Sequence, residues 1–288
     1  MFHSSDGNVD SSGGTVRAQS GEPETNQMSE VSYEQGVFCW VDLSAHDMEA
    51  AKRWYSQLFG WEMTPSSGDG SMPYSMAMQS GKMVAGIGQM SEDMKTQGVP
   101  PMWNSYAWVE DCAKVEAAAL AAGGKVIVPT MQIGAFGSMA FLQDPEGAVF
   151  GLWQPGMHRG AQLVNTPNSL CWNELNVRDV EKAKDFYGKT LGWSFQTLPM
   201  GDFDYTLLKV GERDNGGIMA MVGPMWEGVP AHWMVYFAVA DVDGMCKKIE
   251  ETGGKVCVPP MDISVGRFAV VNDPQGATFT VMTLKPAS

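Results

Sequence analysis

The sequence lacks both a long apolar run and an excess of basic residues. A bilayer span needs about 20 consecutive apolar residues, and no stretch of the 288 residues comes near that length. There are 19 Lys and Arg residues against 33 Asp and Glu residues, so the formal net charge is −14. A chain this acidic repels phosphate backbones and anionic lipid surfaces. We therefore expect neither nucleic acid nor a membrane as a partner.

Cysteine is also scarce, and the cysteines show no spacing typical of disulfide or metal-binding motifs. The five cysteines are Cys39, Cys112, Cys171, Cys246 and Cys257. Their number is odd and no Cys-x-x-Cys occurs, which argues against a disulfide framework and against a zinc ribbon. Reduced thiols are typical of the cytoplasm, and we expect the protein to be cytoplasmic.

Residues 1–35 have almost no large apolar side chains. Ser, Gly and polar residues dominate this segment, so it cannot bury enough surface to offset the entropy lost on ordering. It also lacks the basic start and apolar centre of a secretory signal. We predict that residues 1–35 form a disordered tail.

What the sequence does contain is an internal repeat. CWVDL at residues 39–43 returns as CWNEL at residues 171–175, and the ungapped match continues to a Gly-Trp pair in both copies. The turn sequence Asp-Pro-x-Gly also occurs once in each copy, at residues 144–147 and 273–276. A repeat of this length is a unit of architecture. It predicts two homologous domains, residues 36–157 and 168–285, with residues 156–168 joining them.

Each copy shows the order strand–helix–strand–strand–strand twice. A β-branched and aromatic run predicts the opening strand. Asp47 or Asp179 then suits a helix N-cap, followed by apolar residues at helical spacing and a Gly stop. Asp-Pro-x-Gly predicts a tight turn before the last strand. The sequence thus predicts an α+β fold of four βαβββ modules in two halves.

This order, with Cys-Trp-x-(Asp/Glu)-Leu on the opening strand and Asp-Pro-x-Gly before the last one, resembles the vicinal oxygen chelate (VOC) superfamily. Its members include glyoxalase I, bleomycin-resistance and extradiol-dioxygenase proteins. The resemblance covers residues 36–285. It implies that each half is a cup-shaped mixed sheet with flanking helices, around a small-molecule site. Enzymes of this superfamily commonly hold a divalent metal in the cup with His, Gln and Glu.

The resemblance places the usual metal-ligand positions on residues that do not suit a metal. The first, third and fourth positions fall on Trp40, Asn104 and Gly151 in the first half, and on Trp172, Met234 and Thr280 in the second. The second ligand is a carboxylate, and its stretches, residues 82–90 and 216–223, contain neither Asp nor Glu. An indole offers only an N–H donor. We therefore predict no metal by the family pattern and no other cofactor.

A displaced site is the alternative. A shift of two residues along a strand keeps the same face, so Asp42 and Glu174 are expected to face the cup. His232 lies two residues before Met234. Glu174 and His232 are the candidate catalytic pair, as acid and base or as ligands of a divalent metal. The competing interpretation is a buried carboxylate and histidine satisfied by backbone donors or by each other.

Aromatic residues supply further candidates for ligand binding. Trp40 and Trp172, with Asp42, are candidate lining residues because an indole stacks on a planar ligand; filling the core is the competing role. Trp103 and Trp233 on the next module's first strand are candidates too, against the same competing role. Strand alternation predicts that the cysteines before Trp40 and Trp172 point away from the cup.

Three functions remain open. The first is a glyoxalase/bleomycin-resistance-like protein without the usual metal ligands that binds a small, partly aromatic molecule in its cup. The second is a lyase- or oxygenase-type enzyme that uses Glu174 and His232. The third is a protein with a partner-binding or structural role and no catalysis. Since one chain supplies all four modules, a monomer suffices, and a homodimer stays open.

Overall fold

The computed structural model of the protein describes residues 31–65, 73–201 and 203–285. The predicted disordered tail, residues 1–35, lies outside these ranges except for residues 31–35. From Val31 onward the chain forms one compact unit. In the described part, no helix is long and apolar enough to cross a membrane.

The first half builds one eight-stranded mixed sheet. Its elements are β1 (Phe38–Ala45), α1 (Met48–Phe59), β2 (Glu62–Pro65), β3 (Tyr74–Gln79), β4 (Lys82–Gln89), α2 (Glu92–Thr96), β5 (Met102–Trp108), α3 (Cys112–Ala121), β6 (Lys125–Ile133), β7 (Gly137–Gln143) and β8 (Val149–Pro155). The strand order is β2-β3-β4-β1-β5-β8-β7-β6. Two βαβββ modules therefore meet where β1 pairs antiparallel with β5.

The second half repeats this arrangement. Its elements are β9 (Leu170–Val177), α4 (Val180–Leu191), β10 (Ser194–Pro199), β11 (Asp204–Val210), β12 (Arg213–Ala220), a 3₁₀ turn (Pro224–Trp226), β13 (His232–Ala238), α5 (Val242–Glu251), β14 (Lys255–Ile263), β15 (Gly266–Asn272) and β16 (Thr278–Leu284). The strand order is β10-β11-β12-β9-β13-β16-β15-β14. The predicted α+β fold of four modules in two homologous halves is confirmed.

The first helix of each half begins and ends at the predicted residues. The Asp47 carboxylate accepts a hydrogen bond from the Ala50 N–H, and Asp179 caps α4 in the same way. Such a cap satisfies one of the N–H groups that a helix start leaves unpaired. Gly60 ends α1 with a φ of 74° and Gly192 ends α4 with a φ of 73°. This left-handed conformation favours glycine because it has no Cβ.

These two helices pack across the halves. The α1 side chains Trp54 and Phe59 contact Phe279 and Phe237 of the second sheet. In the other direction, Phe186 and Tyr187 of α4 contact the ring of Phe150 in the first sheet. Since each half's first helix covers the other half's sheet, the two halves share one core.

The repeated polar residues tie the same core together. Trp103 donates to the Tyr55 hydroxyl at 3.0 Å, and this hydroxyl donates to the carboxylate of Asp273 at 3.1 Å. The second copy uses Trp233, Tyr187 and Asp144 at 2.9 and 3.1 Å. Each Asp-Pro-x-Gly aspartate thus accepts a hydrogen bond from the other half, besides closing its own turn.

The other face of each sheet carries no described helix, and we call it the cup. The first cup surrounds Trp40 and Asp42, and the second surrounds Trp172 and Glu174. Side chains from the outer strands β3, β6 and β7 gather with Trp40 in a single cluster on this face. The expected cup face is therefore lined by outer as well as central strands.

Candidate functional site

Asp42 is the polar centre of the first cup. Its Oδ2 accepts from the hydroxyls of Tyr74 at 3.1 Å and Tyr106 at 3.0 Å, and its Oδ1 accepts from Asn104 Nδ2 at 2.9 Å. Burial disfavours the ionised form and raises the pKa of Asp42 to about 6, although the three hydrogen bonds lower it. Both oxygens of the Asp42 carboxyl group therefore accept hydrogen bonds from neighbouring side chains.

Glycines seat the tyrosines of this network. A Cβ added to Gly86 on β4 would collide with the Tyr74 hydroxyl, and one added to Gly151 on β8 would collide with the Tyr106 ring. In the second half, Gly217 lies in the same way beneath Tyr205. Glycine occupies these strand positions because a tyrosine ring lies flat on the backbone there. Gly151 also stands where the family resemblance places a metal ligand.

Glu174 is the corresponding centre of the second cup. Its Oε2 accepts from the Tyr205 hydroxyl at 2.9 Å, and Trp172 Nε1 donates to the same hydroxyl at 2.9 Å. Burial raises the pKa of Glu174, and interactions with Tyr236, Tyr205 and Asn176 lower it. In this chain of hydrogen bonds the indole donates to the phenol and the phenol donates to the carboxyl group. The first cup has the same chain of hydrogen bonds.

The first cup shows this relay with its own residues. Trp40 Nε1 donates to the Tyr74 hydroxyl at 2.9 Å, and that hydroxyl donates to Asp42. Burial and the neighbouring carboxyl group raise the pKa values of Tyr74 in the first cup and Tyr205 in the second well above the usual range. They remain neutral donors, and the relay holds each indole and carboxyl group in a fixed orientation.

The residues around the carboxyl groups do not fit a divalent cation. A cation needs lone pairs, whereas Tyr74, Tyr106 and Asn104 direct hydrogens at Asp42. Over the described ranges, no three or more His, Cys, Asp and Glu side chains form a group that could hold a metal. Glu174 likewise accepts from Tyr205. The described residues around both carboxyl groups therefore form no ligand set for a divalent metal.

The structure places His232 and Glu174 on neighbouring strands but does not join them. In the β9–β13 register His232 lies opposite Asn176, whereas Glu174 lies opposite Met234. His232 Nδ1 is 2.8 Å from the Pro230 carbonyl oxygen, and burial lowers the pKa of the ring. In the described residues no hydrogen bond links the two side chains. The catalytic pair stays a prediction.

Trp103 and Trp233 lie away from the cups, which corrects their predicted place in the lining. Trp103 pairs with Leu43 across β1 and β5, and both side chains belong to the core between the sheets. Trp233 occupies the equivalent place near α4. The reason is strand alternation, because each tryptophan is one residue away from the cup-facing position.

Two β-bulges correct the prediction for the cysteines. Phe38 pairs with Ala107 but Trp40 pairs with Tyr106, so Cys39 is an extra residue on β1. β9 has the same irregularity beside Cys171. A bulge interrupts the alternation, and Cys39 and Cys171 pack in the clusters of the cup tryptophans. Burial raises the pKa of Cys171 to about 12, so this thiol is not a ready nucleophile.

His158, which was not among the candidate residues predicted from the sequence, lies in the first cup. The connecting residues 156–168, called the linker from here on, cross this cup. The His158 ring stands edge-on against Trp40, with ring centroids 4.4 Å apart. Its carbonyl accepts from Trp153 Nε1 at 2.8 Å. As a result Trp40 is only 3% exposed. The apolar residues inside a polar connector, Ala161 and Leu163, were the available signal.

The second cup is more open. Trp172 is half-buried, as are Phe268 and Val270 on β15. Met282 stands on β16 where β8 has Trp153, as the register with β15 and β7 shows. Its thioether has no N–H to donate. The two cups therefore share a polar relay and differ in what covers the tryptophan.

Comparison with known proteins finds relatives over nearly the whole chain. Residues 169–281 match the family described as Glyoxalase/Bleomycin resistance protein/Dioxygenase superfamily, and residues 40–153 match the Glyoxalase-like domain. A Mycobacterium tuberculosis protein named as a glyoxylase, CFP32, is 44% identical over 259 residues, which cover 88% of this chain and 97% of the relative. The anthracycline biosynthesis protein DnrV of Streptomyces peucetius is 32% identical over 260 residues, covering 87% and 94%.

Solved structures share the fold at low sequence identity. The Mn(II)-bound glyoxalase from Novosphingobium aromaticivorans has a TM-score of 0.59 at 16% identity, with 87% of this chain and 83% of that chain covered. The 2,3-dioxygenase LapB from Pseudomonas sp. KL28 has a TM-score of 0.60 at 14% identity, with 86% and 93% covered. At these identities the likeness concerns the fold.

Proposed function

This chain belongs to the glyoxalase/bleomycin resistance protein/dioxygenase superfamily, and from that premise we propose that it binds a small, flat, hydroxylated aromatic molecule in the second cup without a metal. The observation that carries the proposal is the half-buried Trp172 fixed beside the buried carboxyl group of Glu174. An indole that is held in place and still accessible offers a flat surface for stacking.

The walls of the second cup support an aromatic ligand. Tyr236, Met234 and Met282 form the floor, and Phe268 packs against them while remaining half-buried. Ligand sites are commonly lined by apolar and aromatic side chains with a few placed polar groups. Thioethers also contact aromatic rings favourably. The surface suits a planar molecule that carries few polar atoms.

The carboxyl group of Glu174 is the reason for proposing a ligand that carries a hydroxyl group. In the first cup Asn104 donates to one oxygen of Asp42. The corresponding strand position beside Glu174 is Met234, which has no N–H or O–H. In our proposal a ligand hydroxyl donates to the carboxyl oxygen of Glu174 that does not accept from Tyr205, in addition to the interactions with Tyr236 and Asn176 that lower the pKa of Glu174. A buried polar partner of this kind discriminates strongly against analogues that lack the hydroxyl.

The relatives are consistent with this ligand class. DnrV is named for anthracycline biosynthesis, and anthracyclines are flat, hydroxylated, polycyclic aromatic compounds. This chain is aligned with DnrV over 94% of that protein's length. The name supports the choice of a hydroxylated anthraquinone as the probe.

The test is a titration with 1,4-dihydroxyanthraquinone, followed by tryptophan fluorescence and by the melting temperature in the presence of EDTA. The wild type is expected to give saturable quenching and a rise in melting temperature, since binding to the native state stabilises it. Trp172→Leu is expected to weaken binding about tenfold or more, by about 1.4 kcal/mol. The matched Trp40→Leu keeps the wild-type affinity. No saturable binding, or binding only with added metal, would contradict the proposal.

A second candidate function is acid–base catalysis in the same cup. It is favoured by the raised pKa of Glu174, because a carboxyl group that titrates closer to neutral pH transfers protons more effectively. If the bound compound is converted, Glu174→Gln and His232→Ala should each abolish product formation in mass spectrometry while circular dichroism stays native. His46→Ala is the control, because His46 contacts the Val99 carbonyl instead. Unchanged turnover in His232→Ala would remove that residue from the mechanism.

A further inference from the structure

The linker is fastened in the first cup by backbone hydrogen bonds. The Ala161 N–H donates to the Cys39 carbonyl at 2.7 Å, and the Gln162 N–H donates to the Met83 carbonyl at 2.7 Å. The Tyr33 hydroxyl donates to the Ala161 carbonyl at 2.8 Å. Cys39 is the bulged residue of β1, so its carbonyl is available to the linker.

The linker nevertheless keeps one polar group unsatisfied. His158 is 5% exposed, and neither ring nitrogen has a hydrogen-bond partner in the described structure. Burial lowers the pKa of His158 to about 4, so the neutral ring forgoes one donor and one acceptor. Such a group is better satisfied in water than in the closed cup. The unsatisfied ring nitrogens of His158 therefore destabilise the closed arrangement relative to one in which the imidazole meets water.

The space that His158 fills has the walls of a ligand site. The rings of Trp40 and His158 are nearly perpendicular with centroids 4.4 Å apart, and the centroid of the Trp153 ring lies 5.3 Å from that of the imidazole. Met76, Met83 and Phe141 line the same cluster and are only partly buried. A flat ring, an imidazole, already occupies the place against the first-cup tryptophan. In the second cup the corresponding tryptophan is half-buried.

We propose that the linker is a displaceable plug, and that the first cup beneath it is a second binding site for a flat aromatic molecule of the class that the second cup binds. The ligand class rests on the proposed function; the plug and the space beneath it rest on the first cup alone. Displacement of His158 exposes the indole of Trp40, while the bond from Trp40 to Tyr74 keeps the indole in place.

The decisive experiment counts binding sites with 1,4-dihydroxyanthraquinone by equilibrium dialysis. The wild type should bind one molecule per chain, because at the probe concentrations used the linker stays closed over Trp40. His158→Ala should bind two, because without the imidazole the closed linker no longer fills the space against Trp40. Met157→Ala is the matched control, since Met157 is 76% exposed in the same linker and should still bind one. A circular dichroism melt establishes that each variant is folded.

The outcomes separate this inference from the proposed function. One site in both proteins would overturn the second site and leave the function standing. No site in the wild type and one in His158→Ala would overturn the function and support the inference. No site in either protein would overturn both.

Hydrogen exchange tests the displacement without a ligand. Opening of the linker alone should let the amides of Ala161 and Gln162 exchange about a hundredfold faster than that of Val41, which lies in the core of β1. Exchange of all three amides at one rate would show that the linker leaves only with global unfolding, and that result would overturn the plug.

Discussion

The two cups have the same polar relay and a different cover. In the first, Trp40, Tyr74 and Asp42 lie beneath the linker, and the tryptophan is 3% exposed. In the second, Trp172 makes the same bond to its tyrosine and is half-buried. Sequence repetition therefore accounts for the scaffold of both sites. The segment outside the repeat determines which of them is accessible.

The two cups differ in hydrogen-bond donors at two pairs of matched positions. Trp153 donates to the linker, whereas its counterpart Met282 cannot. Asn104 donates to Asp42, whereas its counterpart Met234 offers no donor. The linker thus covers the tryptophan of the first cup, whereas the second cup leaves its indole half-buried and open to a ligand. Changes at the matched positions should break or sharpen this contrast.

The largest expected effect is on stability at the two tryptophans. Trp40→Leu replaces a buried aromatic side chain by a smaller apolar one and should lower the free energy of unfolding by about 2–4 kcal/mol, somewhat less than truncation to Ala. Trp172→Leu should lower it less than half as much, because Trp172 still meets solvent. Urea unfolding at neutral pH measures both values. Equal losses would show that the two cups are equally closed.

The first cup should also show two opposing dependences of stability on pH. The Asp42 pKa rises from 3.8 to about 6 on folding, so its contribution to stability falls as the pH rises through that window. The His158 pKa falls from 6.5 to about 4, so the unfolded state takes up the proton first and stability rises with pH. Each effect is on the order of 3 kcal/mol at most.

Matched variants separate these two dependences. From pH 4 to 6.5 the wild type should gain stability relative to His158→Gln and lose stability relative to Asp42→Asn. Urea unfolding across that range gives both differences. A wild type that shows no pH-dependent difference from His158→Gln would mean that the imidazole is solvated in the folded state.

The core between the sheets is predicted to behave symmetrically, in contrast to the cups. Tyr55→Phe removes the acceptor of Trp103 Nε1 and the donor to Asp273 Oδ2, and Tyr187→Phe does the same to the second network. Each change should cost about 1–3 kcal/mol, and the two costs should agree within measurement error. Thermal or urea unfolding checks this. A clear inequality would show that the halves differ in their shared core as well.

The smallest expected effect concerns the bond that holds the linker. Trp153→Phe removes the N–H that donates to the His158 carbonyl and should cost about 1 kcal/mol. The linker amides should exchange faster while those of β1 do not change. Met282→Leu is the control in the second half. If Trp153→Phe leaves linker exchange unaltered, this bond does not hold the plug.

Much of the fold follows from the sequence because its signals are local. Asp47, Asp179, Gly60 and Gly192 mark the ends of two helices through backbone chemistry that needs no tertiary context. The repeat itself establishes that whatever one half forms, the other forms too. The superfamily resemblance then supplied the cup shape.

The parts that sequence reasoning missed depend on contacts between distant segments. A bulge at Cys39 depends on the pairing of β1 with β5 and reverses the expected side of one residue. The place of α1 against the other half's sheet depends on side-chain packing over the whole core. The hydrogen bonds of Ala161 join the linker to β1, and its sequence alone resembles an ordinary connector.

The most direct test of a ligand-binding second cup is fluorine NMR of protein labelled with 5-fluorotryptophan and titrated with 1,4-dihydroxyanthraquinone. Loss of one signal in Trp172→Phe and of another in Trp40→Phe assigns the two resonances. Our account predicts that the Trp172 signal shifts on binding and saturates, with EDTA present, while the Trp40 signal stays in place. A shift at Trp40 without one at Trp172, or no shift at either, would contradict it.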